Sequence, residues 1–242
     1  MEVDDLIPLL NPRTRLVQTS LVSFFNGYKL QLQPTIEAIR KHSPAMVSVD
    51  VTQALGRIPL QLHGVDLIIS STHKWILASH GGGLVGVPAA NAERLTVPAG
   101  GWFHLDNAFG SDRFEKAVSK PGAASFAVGM PNYPAIYAID AGLHYIRDVG
   151  VAAIDAHCKP LVRACIDEMK RLPVTLITPD DDETLAGIVA FTHPDAERIH
   201  RQLHQSEIHV MSQAGRMRIA IHGYNDAASL ERLMSTLRDA LQ

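Results

Sequence analysis

The 242-residue chain is poor in cysteine, in long apolar runs and in net charge. Its two cysteines, Cys158 and Cys165, share one helix-like stretch. Their spacing spans roughly 10 Å of helix, too far for a disulfide. No apolar run approaches the roughly 20 residues that cross a bilayer. The formal net charge is −3 and no long charge run occurs, so nothing points to nucleic acid or an anionic membrane. The start, MEVDDLIPLL, lacks the basic and apolar regions of a signal peptide, so a cytoplasmic location is expected. A metal motif is missing too. Twelve histidines are scattered along the chain, and the tempting pair His73 and His80 has no clear third ligand. A P-loop is excluded: the run Gly81-Gly82-Gly83 lacks G-K-[ST] and precedes a strand, not a helix.

What is present suits a globular protein with a sizeable core in one or two domains. The chain is 46% hydrophobic and 19% charged. The informative stretch runs from Val47 to Gly83. The apolar runs Val47-Ser48-Val49 and Leu67-Ile68-Ile69 read as buried strands of a parallel sheet. Polar residues follow each run: Asp50 and Gln53 after the first, then Ser70, Ser71, His73 and Lys74 after the second. Ligands of open α/β sheets sit outside the carboxyl ends of strands, so one crevice would gather all of these. A buried Asp can keep a pyridinium nitrogen protonated, a Lys can form a Schiff base with an aldehyde, and Ser and His can bind a phosphate.

The pattern D-x-x-Q…S-x-H-K, formed by Asp50, Gln53, Ser71, His73 and Lys74, resembles the class V aminotransferases. These are fold type I transferases and related enzymes that use pyridoxal 5'-phosphate (PLP), among them cysteine desulfurases and isopenicillin-N-epimerase-like proteins. The resemblance implies an α/β fold with a mainly parallel large-domain sheet (residues 1–125) and a small C-terminal α/β domain (residues 126–242). It implies PLP held as a Schiff base on Lys74, with Asp50 tuning the ring and Gln53, Ser71 and His73 contacting the cofactor. Asn26, in the loop after a strand at Leu16–Val22, matches the Asn that contacts the ring hydroxyl; read by itself, Asn26-Gly27 is a turn. Arg218, in Arg218-Ile219-Ala220-Ile221-His222-Gly223-Tyr224-Asn225, matches the arginine that takes the substrate α-carboxylate, with Arg216 as its solvent-facing neighbour. Met130 stands where relatives carry a Thr that reaches the partner subunit's phosphate. Ser125 is the nearby hydroxyl. A homodimer and an amino-acid substrate are implied. Relatives also carry a substantial segment before the position of Met1, so this chain is expected to lack the N-terminal part of the large domain.

The chemistry stays open among transamination, epimerisation and elimination. A desulfurase nucleophile is missing from Gln205–Gly215, which holds no cysteine. The alternative is a catalytically incomplete homologue or fragment acting in binding or dimerisation. In the C-terminal half, helices are expected at Asn132–Asp148, with Ile136, Ile139, Leu143 and Ile146 facing a core, and at Val151–Arg171 and Asp195–Gln205. A last helix, Asp226–Leu241, would be capped by Asn225. Strands are expected at Val174–Ile177, Ala186–Phe191, Ile208–Met211 and Arg216–Ile221.

Overall fold

The computed structural model describes residues 3–98 and 100–242. The chain divides into two compact units. The first holds the residues up to Ser20, Leu32–Thr52 and Gln61–His144; the second holds Leu21–Gln31, Gln53–Leu60 and Tyr145–Gln242.

In the first unit the order is α1 (Val3–Leu6), β1 (Leu16–Ser20), α2 (Leu32–His42), β2 (Met46–Asp50), β3 (Leu67–Ser71) and β4 (Gly83–Gly86). The sheet runs β1-β2-β3-β4, with the first three strands parallel and β4 antiparallel to β3. β2 lies inside it, and Val47, Ser48 and Val49 are fully buried, as an unbroken apolar run in a parallel sheet requires. α2 starts two residues before Pro34 and turns Leu32, Ile36 and Ile39 inward. Arg40 near its end reaches Asp66 at 2.6 Å, and the same carboxylate oxygen accepts the Val47 N–H at 2.7 Å. That pair fixes the start of β2 against α2.

The second unit contains α4 (Val151–Met169), β5 (Thr175–Leu176), β6 (Ile188–Thr192), α5 (Ala196–Gln205), β7 (Met211–Gln213), β8 (Arg216–Ala220) and α6 (Ala227–Ala240). Its sheet is antiparallel throughout, in the order β5-β6-β8-β7. Cys158, Cys165, Ile166 and Met169 of α4 enter one core with Val189, Phe191, Met217, Ile219, Met234 and Leu237. Period-two alternation puts Met217, Ile219 and Ile221 in that core as expected. The early segment Leu21–Gln31 is tied here as well. Lys29 N–H donates to the Thr184 carbonyl at 2.7 Å, and a Cβ on Gly27 would sit 2.3 Å from the Ile188 carbonyl oxygen. Gly27 has φ +79°, so both its turn and its close approach demand glycine.

Several expectations are corrected. The last division between the two units falls between His144 and Tyr145, inside helix α3 (Tyr133–Val149). The first part of α3 stays with the first unit because Gly142 fits against the Ile76 backbone, where a Cβ would meet the carbonyl oxygen at 2.1 Å. Ala135 and Ile146 are buried, while Ile136 and Leu143 are exposed. The strand expected at Ile208–Met211 begins only at Met211. Asp226, not Asn225, caps α6: its Oδ1 accepts the Ser229 N–H at 2.8 Å, while Asn225 Oδ1 accepts the His222 N–H at 2.8 Å. Asn132 does cap α3, accepting the Ala135 N–H at 3.3 Å.

Candidate functional site

β2 and β3 are parallel neighbours, so their carboxyl ends at Asp50 and Ser71 lie on the same edge of the sheet. Thr52 links them. Its N–H donates to Asp50 Oδ1 at 2.7 Å, and its Oγ1 accepts the Ser71 N–H at 2.9 Å. The Ser71 hydroxyl lies 3.5 Å from the same oxygen. Thr52 is not among the residues that the D-x-x-Q…S-x-H-K pattern singles out. The sign of it was the Asp-x-Thr spacing, in which an Asp after a strand accepts the N–H two residues on.

The loop after Ser71 carries His73 and Lys74. Its neck is closed by the buried Thr72, whose Oγ1 donates to the Ser79 carbonyl at 3.1 Å and whose own carbonyl accepts the Ala78 N–H at 3.2 Å. Trp75 and Ile76 are buried beneath it. At the tip, Leu77 N–H donates to the Lys74 carbonyl at 3.0 Å, and Leu77 takes φ +58°. A left-handed leucine costs about 1–2 kcal/mol, so the loop holds Lys74 on a strained turn. Gly82 lets the chain return: a Cβ there would lie 2.8 Å from both Thr72 Oγ1 and Ile139 Cδ1. The His73 ring stacks on His80 at 4.0 Å between centroids, with planes 19° apart. Burial, then His80, then Lys74 pushes the His73 pKa below its ordinary value. The ring therefore favours its neutral form.

Asp50, Ser71, His73 and Lys74 are thus brought to one sheet edge of the first unit. Asn26, Gln53 and Arg218 belong to the second. Asn26 Oδ1 accepts the Tyr28 N–H at 3.2 Å, and its backbone carbonyl accepts from the Thr178 hydroxyl at 2.7 Å. Gln53 is buried. Arg218 donates through Nη1 to the Phe24 carbonyl at 3.0 Å and lies over the Phe24 ring at 4.3 Å. Its Nε is buried without a hydrogen-bond partner among the described residues. Burial, then the neighbouring Arg216, lowers its pKa. Arg216 is not solvent-facing as expected. It is 6% exposed, donates to the Phe25 carbonyl and packs over the Phe25 ring at 4.5 Å. The two aromatic residues before Asn26 are what bury it.

Ser125 is fully buried and committed elsewhere, donating to the Gly122 carbonyl and accepting the Val97 N–H. Met130 is exposed. Both cysteine thiols are free and buried. Burial raises the Cys158 pKa and pushes Cys165 up to about 12, so neither offers a thiolate near neutrality. Among the described residues no group of three His, Cys, Asp or Glu is placed to hold a metal ion, and no helix is long and apolar enough to cross a membrane.

The sequence matches the family Aminotransferase class-V over residues 1–233. It is 24% identical over 231 residues to the uncharacterized aminotransferase YcbU of Bacillus subtilis, covering 92% of this chain and 60% of that one. It is 25% identical to a probable cysteine desulfurase of Pasteurella multocida, covering 100% of this chain and 60% of the relative. Among solved structures, a lysine-to-alanine mutant of C-DES with glycine covalently linked to its PLP cofactor superposes with a TM-score of 0.86 at 24% identity, over 98% of this chain and 63% of that one. This likeness shows a shared fold, an α/β architecture with a mixed, mainly parallel sheet. The chain belongs to the class-V aminotransferase family, and it spans about 60% of the length of these relatives.

Proposed function

We propose that this chain provides the PLP-binding and substrate-binding parts of an enzyme acting on an amino acid. The observation that carries the reading is the convergence of Asp50, Thr52, Ser71, His73 and Lys74 at the ends of two adjacent parallel strands. The donor set fits PLP group by group. A carboxylate at the end of a buried strand suits a pyridinium nitrogen. Two hydroxyls and an imidazole suit a phosphate, and an amine on a strained turn suits an aldehyde.

In this reading PLP, when bound, supplies an aldehyde for covalent attachment and a ring that draws electrons from the substrate Cα. Lys74 is the attachment point, and its Nζ takes the Cα proton of the substrate. Asp50 keeps the ring nitrogen protonated. Ser71, Thr52 and His73 would bind the phosphate. Gln53 and Asn26 contact the ring oxygen side by their amides. Arg218 takes the α-carboxylate. Its buried Nε has no hydrogen-bond partner among the described residues, which suits an anion-accepting role. Transamination, epimerisation and elimination all share this proton transfer. The buried, raised thiols of Cys158 and Cys165 argue against sulfur transfer by the chain's own cysteines.

A cytoplasmic homodimer completes the reading. The exposed Tyr133, Ile136, Tyr137 and Leu143 on α3 offer an apolar face for a second copy. Equilibrium sedimentation tests this directly, and a monomer at micromolar concentration contradicts it. The cofactor reading is tested by loading the chain with PLP, removing the excess and recording visible absorbance. Retained absorbance that weakens in Asp50→Asn and disappears in Lys74→Ala supports it. A folded chain that retains none contradicts it.

A further inference from the structure

A second cluster of imidazoles lies in the second unit and contains none of the residues assigned above. His200 and His204 are one helical turn apart on α5, and His209 follows in the segment that leads into β7. The His204 and His209 Nδ1 atoms are 3.1 Å apart, and their rings meet edge-on, with centroids 4.9 Å apart and planes at 68°. Both residues are exposed. Two Nδ1 atoms at this distance share one proton in a hydrogen bond, and the same two nitrogens, freed of that proton, can hold a cation between them. In a tetrahedral zinc site with Zn–N bonds of 2.0–2.1 Å, neighbouring nitrogens sit about 3.3–3.4 Å apart. The observed gap needs only a few tenths of an ångström of opening.

The backbone is shaped to make this clasp. α5 ends with Ile208 N–H donating to the Leu203 carbonyl and Glu207 N–H to the His204 carbonyl, both at 2.9 Å. That is the Schellman pairing, and it requires a left-handed residue, here Glu207 at φ +57°. The reversal brings His209 back over His204. His200 pins the far side: its Nε2 lies 3.1 Å from the Val210 carbonyl, so it donates there and holds the chain just past His209. His200 is therefore a positioning residue, not a ligand. Two further features favour a cation. The clasp sits at the C-terminal end of α5, where the helix dipole is negative. His209 also lines a cavity of about 500 Å³, with room for waters that complete a coordination shell.

We propose that His204 and His209 form a two-imidazole binding site for a borderline divalent transition-metal ion, with Zn²⁺ and Ni²⁺ the fitting class. Imidazole nitrogens suit these ions, whereas calcium and magnesium take oxygen donors. Because only two side chains bind, the remaining positions belong to water or an added donor.

The test is calorimetric titration of the untagged full-length chain with zinc chloride, repeated with nickel chloride and with magnesium chloride. The expected result is one zinc or nickel ion bound per chain and no magnesium response. His204→Gln and His209→Gln should each remove the binding, and His200→Gln should weaken it at least tenfold, with circular dichroism unchanged. His80→Gln should leave it intact, which separates this clasp from the His73–His80 stack. Zinc binding that survives in both His204→Gln and His209→Gln would overturn the proposal, as would no binding to the folded chain.

Discussion

The two sheets have four strands each, yet they are finished differently. In the second unit β6 is buried along Ile188–Ala190 and Phe191, and β8 presents Met217 and Ile219 to a continuous core from α4, α5 and α6. In the first unit only β2 is closed. β1 and β4 alternate between exposed and half-buried residues, and β3 is mostly half-buried. Parallel strands are ordinarily covered on both faces. The residues proposed for chemistry on Asp50, Ser71, His73 and Lys74 thus sit at the rim of the more open sheet. The contrast is one of packing: the antiparallel unit closes around a continuous core, and the parallel unit carries a strained, glycine-dependent loop.

The strongest way to break this contrast is to open the packed core. Phe191→Ala should cost about 3–5 kcal/mol in denaturant unfolding, because the ring is 1% exposed inside that core. Next comes Arg57, the largest fully buried side chain. Its Nε donates to the Ile221 carbonyl at 3.0 Å and its Nη1 to Asp155 at 3.1 Å. Arg57→Met should cost about 2–3 kcal/mol, below the range for a wholly buried pair because Asp155 keeps some solvent. Ile68→Ala on β3 should cost only about 1–2 kcal/mol, since the side chain is less completely buried than Phe191. If Ile68→Ala matches Phe191→Ala, the two sheets do not differ as described. Glu207→Gly should stabilise by up to about 1 kcal/mol by relieving the left-handed glutamate.

The smallest expected effect is one of pH. The His73 pKa is lowered in the folded chain by burial, His80 and Lys74. The unfolded chain therefore binds the extra proton first. Stability from this group is complete above the unfolded histidine value of about 6.5 and declines as pH falls below it. A stability profile measured with and without His73→Gln should diverge in that acid range and coincide above it. Divergence on the alkaline side would contradict the assignment.

Much of this was legible because it is local. β2 and β3 followed from short apolar runs, α3 from its Asn132 cap, and the alternation of β8 from period two. The placement of Asp50 and Ser71 at one edge of the first unit's sheet followed from strand ends followed by polar residues. What escaped the sequence depends on partners far along the chain. Arg216 reads as a surface arginine until Phe24 and Phe25 cover it. β7 starts late because the Glu207 reversal and the His200–Val210 bond occupy the segment that alternation assigned to strand. Asn225 and Asp226 are both good caps, and which one serves α6 was settled by Asn225 turning to the His222 N–H. Ile136 and Leu143 have helical spacing, but Gly142 decides which face of α3 meets Ile76.

The central claim is that the loop after Ser71 presents Lys74 to PLP. The most direct measurement is borohydride reduction of the PLP-loaded, desalted chain, followed by peptide mapping by mass spectrometry. The account predicts a reduced pyridoxyl group on the peptide carrying Lys74, and none in Lys74→Ala. A label spread over other lysines, or no label on a chain shown by circular dichroism to be folded, would contradict it.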